Sequence, residues 1–86
     1  MEEKIIDCSE IHSREDLHRL FRETLDFPQW YGNNLDALHD CLTEITGQVR
    51  LLDWTVAEQR LGAYGEKARK VIAAAAFQNQ ALDLYL

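Results

Sequence analysis

Three side chains that could do chemistry, Asp36, His39 and Asp40, recur at spacings of three and four residues. At about 100° per residue, this spacing places them on one side of a helix, with Leu38 and Cys41 on the other side. Two carboxylates four residues apart slightly destabilise a helix, so helix stability alone does not explain the pattern. Carboxylates on one rigid face, with aromatic side chains close by, are suited to binding a cationic partner.

The same residues allow two other kinds of site. Asp36, His39 and Asp40 could ligate a divalent metal ion, but no second cluster in the sequence supplies the remaining ligands. Cys41 with His39 or His18 could pair a nucleophile with a base, but Cys41 is predicted to face the core. We therefore predict no catalytic residue, no metal site and no cofactor.

The acidic helix is predicted to span residues 33–46 and to follow an aromatic turn at residues 28–32 (PQWYG). Asn33 or Asn34 can accept a hydrogen bond from a free N–H of the first helical turn, as an N-cap residue does. Gly47 is predicted to end the helix.

Hydrophobic patterns and turn residues predict strands at 4–8, 48–54 and 82–86, helices at 13–24, 55–62 and 66–78, and a turn at Tyr64-Gly65. Ser13 with Asp16, and Thr55 with Glu58, form capping-box patterns at two helix starts. Asn79 is predicted to end the last helix in the left-handed conformation.

This order of elements is typical of parallel strands joined by right-handed crossovers. We predict a single α/β domain over residues 1–86, in which a three-stranded parallel β-sheet with the first strand central packs against three main helices plus one short helix. The strand at 48–54 does not alternate strictly, so we expect both of its faces to be covered. Trp54 and Phe77 are predicted core residues, whereas His12 and His18 are predicted to be solvated or capping residues.

Composition narrows the function further. The chain has 86 residues, with nine basic and fifteen acidic side chains and a net charge of −6. This balance argues against direct binding of nucleic acid and suits a basic partner. Cys8 and Cys41 have neither metal-ligand nor CxxC spacing, so we expect free thiols in a reducing compartment. No apolar stretch has the length of a signal peptide or a membrane span, and we expect a cytoplasmic protein.

The string WYGNNLDALHDCL resembles the central motif of the barstar family, the intracellular inhibitors of the ribonuclease barnase. In that family the string Tyr-Gly-x-Asn-Leu-Asp-Ala-Leu-x-Asp-Cys-Leu leads into the inhibitory helix. The resemblance covers about the first two thirds of the chain and includes Ser13, Asp16, Leu17, His18, Pro28 and Trp54.

The resemblance implies a small intracellular inhibitor that occludes the basic active-site cleft of a ribonuclease with the acidic helix. Asp40 matches the family's hot-spot aspartate, and Asp36 matches a second anchor. The implied partner-binding residues are Trp30, Gly32, Asn34, Asp36, His39, Asp40 and Thr43. The implied partner is a basic protein, an extracellular-type ribonuclease of the barnase class, and the free protein is expected to be a monomer that binds no membrane.

The chain also departs from the family pattern. His39 replaces a tryptophan between the two aspartates, Trp30 replaces a tyrosine, and Ile45 replaces the tryptophan that follows the helix. The glutamate of the family's last helix has no counterpart at residues 73–77 (AAAAF). These changes favour a different, related ribonuclease or another basic enzyme over barnase itself. The alternative is an adaptor or regulator on the same scaffold that binds an unrelated basic protein.

Overall fold

The computed structural model describes residues 3–86 and contains three strands and four helices in that range. The elements are β1 Glu3–Asp7, a 3₁₀ turn Cys8–Glu10, α1 Arg14–Leu25, α2 Leu35–Leu42, β2 Gly47–Leu52, α3 Trp54–Leu61, α4 Ala63–Gln78 and β3 Leu82–Tyr85. The predicted α/β class and the three-stranded parallel sheet are confirmed.

The strand order is β1-β2-β3, so the second strand is central and the predicted central position of the first strand is wrong. Ile5 of β1 and Tyr85 of β3 both pair with Arg50 of β2, which shows the register across the sheet. Both crossovers advance in the same direction across this sheet. Because parallel crossovers are right-handed, both helix pairs then fall on the same face.

Burial alternates along the strands, as expected for a sheet covered on one face. Val49 and Leu51 of β2 are buried, whereas Arg50 and Leu52 are exposed. The prediction that this strand is covered on both faces is therefore wrong. Across the covered face, the helices supply the rest of the core, which includes Leu17, Phe21, Leu38, Leu42, Ala57, Ala68 and Ile72.

The start of α1 confirms the predicted Ser13 cap, although the reciprocal bond of Asp16 goes to the residue before the cap. The Ser13 hydroxyl accepts a hydrogen bond from the Asp16 N–H at 3.1 Å, and the Asp16 carboxylate accepts from the His12 N–H at 3.0 Å. The bond from His12 holds the pKa of the Asp16 carboxyl below its usual value, because it favours the charged form. At the other end, Asp26 adopts the left-handed conformation (φ 56°) and ends the helix before Pro28.

The start of α3 differs from the prediction. The helix begins at Trp54, Asp53 is the residue before it, and Thr55 lies inside the first turn, so the predicted Thr55 cap is wrong. Glu58 has another role. Its carboxylate accepts a hydrogen bond from the Trp54 indole at 2.9 Å and pairs with Arg69 of α4 at 3.1 Å. This carboxylate therefore ties α3 to α4.

Tyr64 and Gly65 lie in the first turn of α4, where the sequence predicts a turn outside it. A Cβ atom at Gly65 would lie 2.5 Å from the Glu58 carbonyl oxygen and 2.8 Å from the Glu58 Cα. The two helices approach too closely for any larger residue. The glycine therefore serves packing between helices, and the sequence pattern alone does not separate that role from a turn.

Two aromatic residues with the same predicted location have different fates. Trp54 is buried in the core, as predicted, but Phe77 is 89% exposed, so its predicted burial is wrong. The buried stripe of α4 contains Ala68, Ile72 and Ala75. Phe77 lies about half a turn away from that stripe at 100° per residue. Within residues 3–86, no helix, α4 included, has the length and apolar character needed to cross a membrane.

Substituting Gly65 separates two opposing effects. Alanine is a better helix former than glycine by about 1 kcal/mol, but its Cβ would overlap the Glu58 backbone. We expect Gly65→Ala to lower the free energy of unfolding by about 1–3 kcal/mol, the usual cost of overpacking. Urea denaturation measures this change, with Ala74→Gly at an exposed position of α4 as the control for helix propensity. An increase in stability of Gly65→Ala would contradict the steric assignment.

Candidate functional site

The aromatic turn before α2 divides its two large rings between solvent and core. The Tyr31 N–H donates to the Pro28 carbonyl at 3.0 Å, which closes the turn. Trp30 is 68% exposed, whereas Tyr31 is 4% exposed and packs its ring 5.0 Å from that of Phe27. One aromatic residue thus anchors the turn to the core, and its neighbour is exposed to solvent.

His18 holds Tyr31 in place. Its Nδ1 lies 2.5 Å from the Tyr31 hydroxyl, and its Nε2 lies 2.6 Å from the hydroxyl of Tyr64 in α4. A neutral imidazole has one donor and one acceptor nitrogen, so one tyrosine accepts its hydrogen bond and the other donates to it. His18 is only 2% exposed, so the prediction that it is solvated or capping is wrong. The bridge joins α1, the aromatic turn and α4.

Burial also determines the protonation states of this bridge. It lowers the pKa of His18, because the charged imidazolium would lose its hydration. Burial raises the pKa of the Tyr31 phenol and that of the Tyr64 phenol. All three groups are therefore neutral near pH 7.

Asn34, rather than Asn33, is the N-cap of α2. Its Oδ1 accepts a hydrogen bond from the Ala37 N–H at 2.8 Å, and its Nδ2 donates to the Gly32 carbonyl at 3.3 Å. A Cβ at Gly32 would lie 2.9 Å from that Nδ2, so glycine leaves room for the cap. Asn33 adopts a left-handed conformation (φ 55°) that brings the chain into the helix. Two of the predicted partner-binding residues, Gly32 and Asn34, thus shape the start of the helix.

The remaining predicted site residues on α2 form one stripe at i, i+3, i+4 and i+7. We call Asp36, His39, Asp40 and Thr43 the acidic stripe. The Asp40 side chain is 76% exposed, and its Oδ1 lies 3.7 Å from Nδ1 of His39. The Thr43 hydroxyl donates to the Asp40 carbonyl at 2.7 Å. Leu38, Cys41 and Leu42 are buried on the opposite side, as the sequence pattern predicts.

The helix ends earlier than predicted. It spans Leu35–Leu42, whereas the sequence predicts residues 33–46 with Gly47 as the stop. The side chain of Asn79, which follows α4, caps the carboxyl end of α2. Its Nδ2 donates to the carbonyls of Leu42 at 2.9 Å and Ile45 at 2.7 Å. Asn79 itself is extended (φ −112°), so its predicted left-handed conformation is wrong.

The geometry gives no support to the alternative chemistries. Within residues 3–86, no group of three or more His, Cys, Asp or Glu side chains is arranged to hold a metal ion. Cys8 and Cys41 are free and buried. Burial raises the pKa of the Cys41 thiol, and it raises that of Cys8 to about 12. Neither cysteine is therefore a thiolate nucleophile at neutral pH.

Sequence reasoning missed the residues that support the site from a distance. His18 has no local signal for burial, because only the fold brings Tyr31 and Tyr64 to its two nitrogens. Asn79 carries a helix-end signal for α4, and its side chain also ends a different helix, α2. Both are short polar groups whose partners lie far away in sequence, 46 residues in the case of Tyr64 and 37 residues in the case of Leu42.

Comparison with known proteins gives two findings. The family model described as Barstar (barnase inhibitor) matches residues 1–85 of this chain. A protein of Bacillus subtilis (strain 168), named "Putative ribonuclease inhibitor YrdF", is 37% identical over 75 residues. That match covers 84% of this chain and 82% of the Bacillus protein.

The buried His18 predicts a pH-dependent stability. Its pKa is lower in the folded protein than in the unfolded chain, so the unfolded chain binds the proton first as the pH falls below about 6.5. We expect the free energy of unfolding to fall with pH in this range, by up to about 1.4 kcal/mol per pH unit, until the folded-state pKa is reached. Urea titrations of the wild type and His18→Gln between pH 5 and 8 would measure the difference. If the free energy of unfolding changed with pH equally in the two proteins, His18 would not be the group responsible.

Asn79→Asp tests the end of α2 with a nearly isosteric change. Aspartate keeps the acceptor that receives the Ala81 N–H at 3.1 Å but loses the donor to two carbonyls. We expect a loss of about 1–3 kcal/mol in the free energy of unfolding, the cost of unpaired polar groups. Amide exchange in residues 43–46 is expected to become faster. Gln80→Glu, which makes the same charge change at an exposed neighbour, is the control. Equal effects of the two substitutions would mean that charge, not the lost donor, is responsible.

Proposed function

Because the chain belongs to the barstar family, we propose that it is a non-enzymatic inhibitor of a ribonuclease and that it occludes the enzyme's basic active-site cleft. The occluding surface consists of the acidic stripe and the aromatic turn before it. The name of the Bacillus relative supports the same class of function. The observation that carries the proposal is the pair of exposed carboxylates, Asp36 and Asp40, on one face of a helix fastened at both ends.

Charge explains how such a surface inhibits. A ribonuclease binds the phosphates of RNA, so its cleft needs cationic side chains. Carboxylates placed where phosphates would lie can form charge-assisted hydrogen bonds to arginine, which are stronger than neutral ones. The net charge of −6 favours fast association with a basic enzyme.

Each residue of the surface has a role that its position supports. Asp40, whose side chain is largely exposed, is the principal anchor. Asp36 is the second anchor, and the exposed ring of Trp30 is the apolar anchor. His39 and Thr43 lie beside Asp40 and contribute to specificity.

Rigidity before binding is the second physical argument. Each side chain or loop that becomes ordered on binding loses conformational entropy, which weakens the affinity. A surface that is already ordered before binding loses less. Here the turn is fastened by Tyr31, and α2 is fastened at its two ends by Asn34 and Asn79. We propose that this preorganisation lets a helix of only 8 residues act as an inhibitory element.

We further propose that the partner is a ribonuclease of the barnase class and that the protein acts as a monomer in the cytoplasm. The two free, buried thiols suit a reducing compartment. The departures at His39, Ile45 and the alanine-rich end of α4 support a relative of barnase as the partner rather than barnase itself.

Asp40→Ala is the sharpest test of this function. We expect the affinity for a barnase-class ribonuclease to fall by at least about 2 kcal/mol, the loss typical of an interface hot spot. Stability is expected to change by less than about 0.5 kcal/mol, because the side chain is exposed. Inhibition of RNA cleavage, titrated against the nuclease at low and moderate salt, measures the affinity.

Asp83→Ala is the matched control, since Asp83 is an exposed aspartate on the open face of the sheet. It removes the same charge away from α2 and is expected to leave inhibition within about twofold, as for a residue outside the interface. If Asp40→Ala and Asp83→Ala weakened inhibition equally, the effect would come from long-range charge attraction and not from a contact of Asp40. Stoichiometric binding that survives Asp36→Ala/Asp40→Ala would exclude the acidic stripe as the inhibitory surface.

A further inference from the structure

A second surface has the opposite charge. A groove of about 850 Å³ lies between α1, the start of α4 and the first residues of α2. Its lining includes Arg14, Arg19, Arg22 and Lys67, which are four of the nine basic residues in a chain of net charge −6. The fold thus places these positive charges together in one groove, although the chain as a whole is acidic. The volume lies within the range of small-molecule sites.

Three of these cations have no carboxylate partner within residues 3–86. Arg19 is already paired with two carboxylates of its own helix, at 3.1 and 3.8 Å. Arg14, Arg22 and Lys67 form no ion pair in the described part of the chain. The Arg14 guanidinium is held over the ring of Tyr64, 5.2 Å from its centroid. Guanidinium and ammonium groups without carboxylate partners suit a phosphate group.

The groove also contains two carboxylates, Glu15 and Asp36. They would repel a bare phosphate, but a carboxylate accepts hydrogen bonds from sugar hydroxyls. Cations and carboxylates in one groove therefore match a ligand that carries both a phosphate group and sugar hydroxyls. We propose that this groove, the basic groove, binds a nucleotide, with its phosphate at Arg14, Arg22 and Lys67 and its ribose hydroxyls at Glu15 and Asp36.

The basic groove lies beside the proposed nuclease-binding surface and binds a different kind of ligand, although Asn34 and Asp36 border both. The proposal depends only on the groove and is tested on the free protein, so it stands or fails independently of ribonuclease inhibition. Because the ligand is an anion, binding at the basic groove is expected to weaken as salt screens the local cations.

The experiment titrates the isotope-labelled chain at low ionic strength and follows its backbone amide shifts. The probes are adenosine monophosphate, its dideoxy form lacking both ribose hydroxyls, adenosine and inorganic phosphate. We expect saturable shifts at the basic groove with adenosine monophosphate. Binding is expected to be weaker for the dideoxy form and for phosphate, and absent for adenosine.

Two double variants with the same charge change provide the comparison. Arg22→Gln/Lys67→Gln removes two groove cations, and we expect it to weaken nucleotide binding by about tenfold for each charge-assisted hydrogen bond that the variant cannot form. Arg50→Gln/Lys70→Gln removes two cations that do not line the groove, and is expected to leave binding unchanged. A double variant of the first kind that still unfolds cooperatively is folded, so its weaker binding reports on the site.

Several results would overturn the proposal. The first is the absence of saturable shifts at the basic groove with adenosine monophosphate. The second is equal weakening by both double variants, which would indicate general charge attraction. The third is binding of phosphate or of the dideoxy form as tight as that of adenosine monophosphate, which would exclude the role of Glu15 and Asp36.

Discussion

The placement of the aromatic turn and of the start of α2 depends on the hydrogen bonds of the buried His18 imidazole. The imidazole bonds to Tyr31 on one side and to Tyr64 on the other, at 2.5 and 2.6 Å. A residue of α1 therefore holds both the aromatic turn and the last helix. Tyr31 is anchored in the core and the adjacent Trp30 faces solvent, and the chain enters α2 in a defined direction. Burial keeps this histidine neutral near pH 7, because the charged imidazolium would lose its hydration.

The one-sided sheet determines where the two charged surfaces can lie. With strand order β1-β2-β3, all four helices pack on one face, and the other face exposes Arg50 and Tyr85. Every surface formed by helices therefore lies on this one side of the sheet. That side carries the acidic stripe on α2 and the basic groove beside it, with Asp36 on the border between them. A chain of this size can therefore separate its charges over a short distance.

Local patterns in the sequence were sufficient to predict the fold class and which residues of α2 face solvent. The Ser13 cap, the apolar side of α2 with Leu38 and Leu42, and the placement of Asp36 and Asp40 on its opposite side all follow from spacings of three and four residues. The parallel α/β class follows from the order of the elements. These features depend on neighbours within one or two helical turns, so the sequence alone predicts them. The motif around α2 likewise identifies the family that the whole-chain match establishes.

Tertiary structure decided what depends on distant partners. Strand order follows from how the crossovers pack together, and Gly65 lies inside a helix because the backbone of Glu58 approaches it. Asn79 ends α2 and not only its own helix, and Phe77 faces solvent because the buried stripe of α4 lies on its other side. In each case the residue type is compatible with two environments. Only the approach of another element in space selects between them, and that approach leaves no signal in the local sequence.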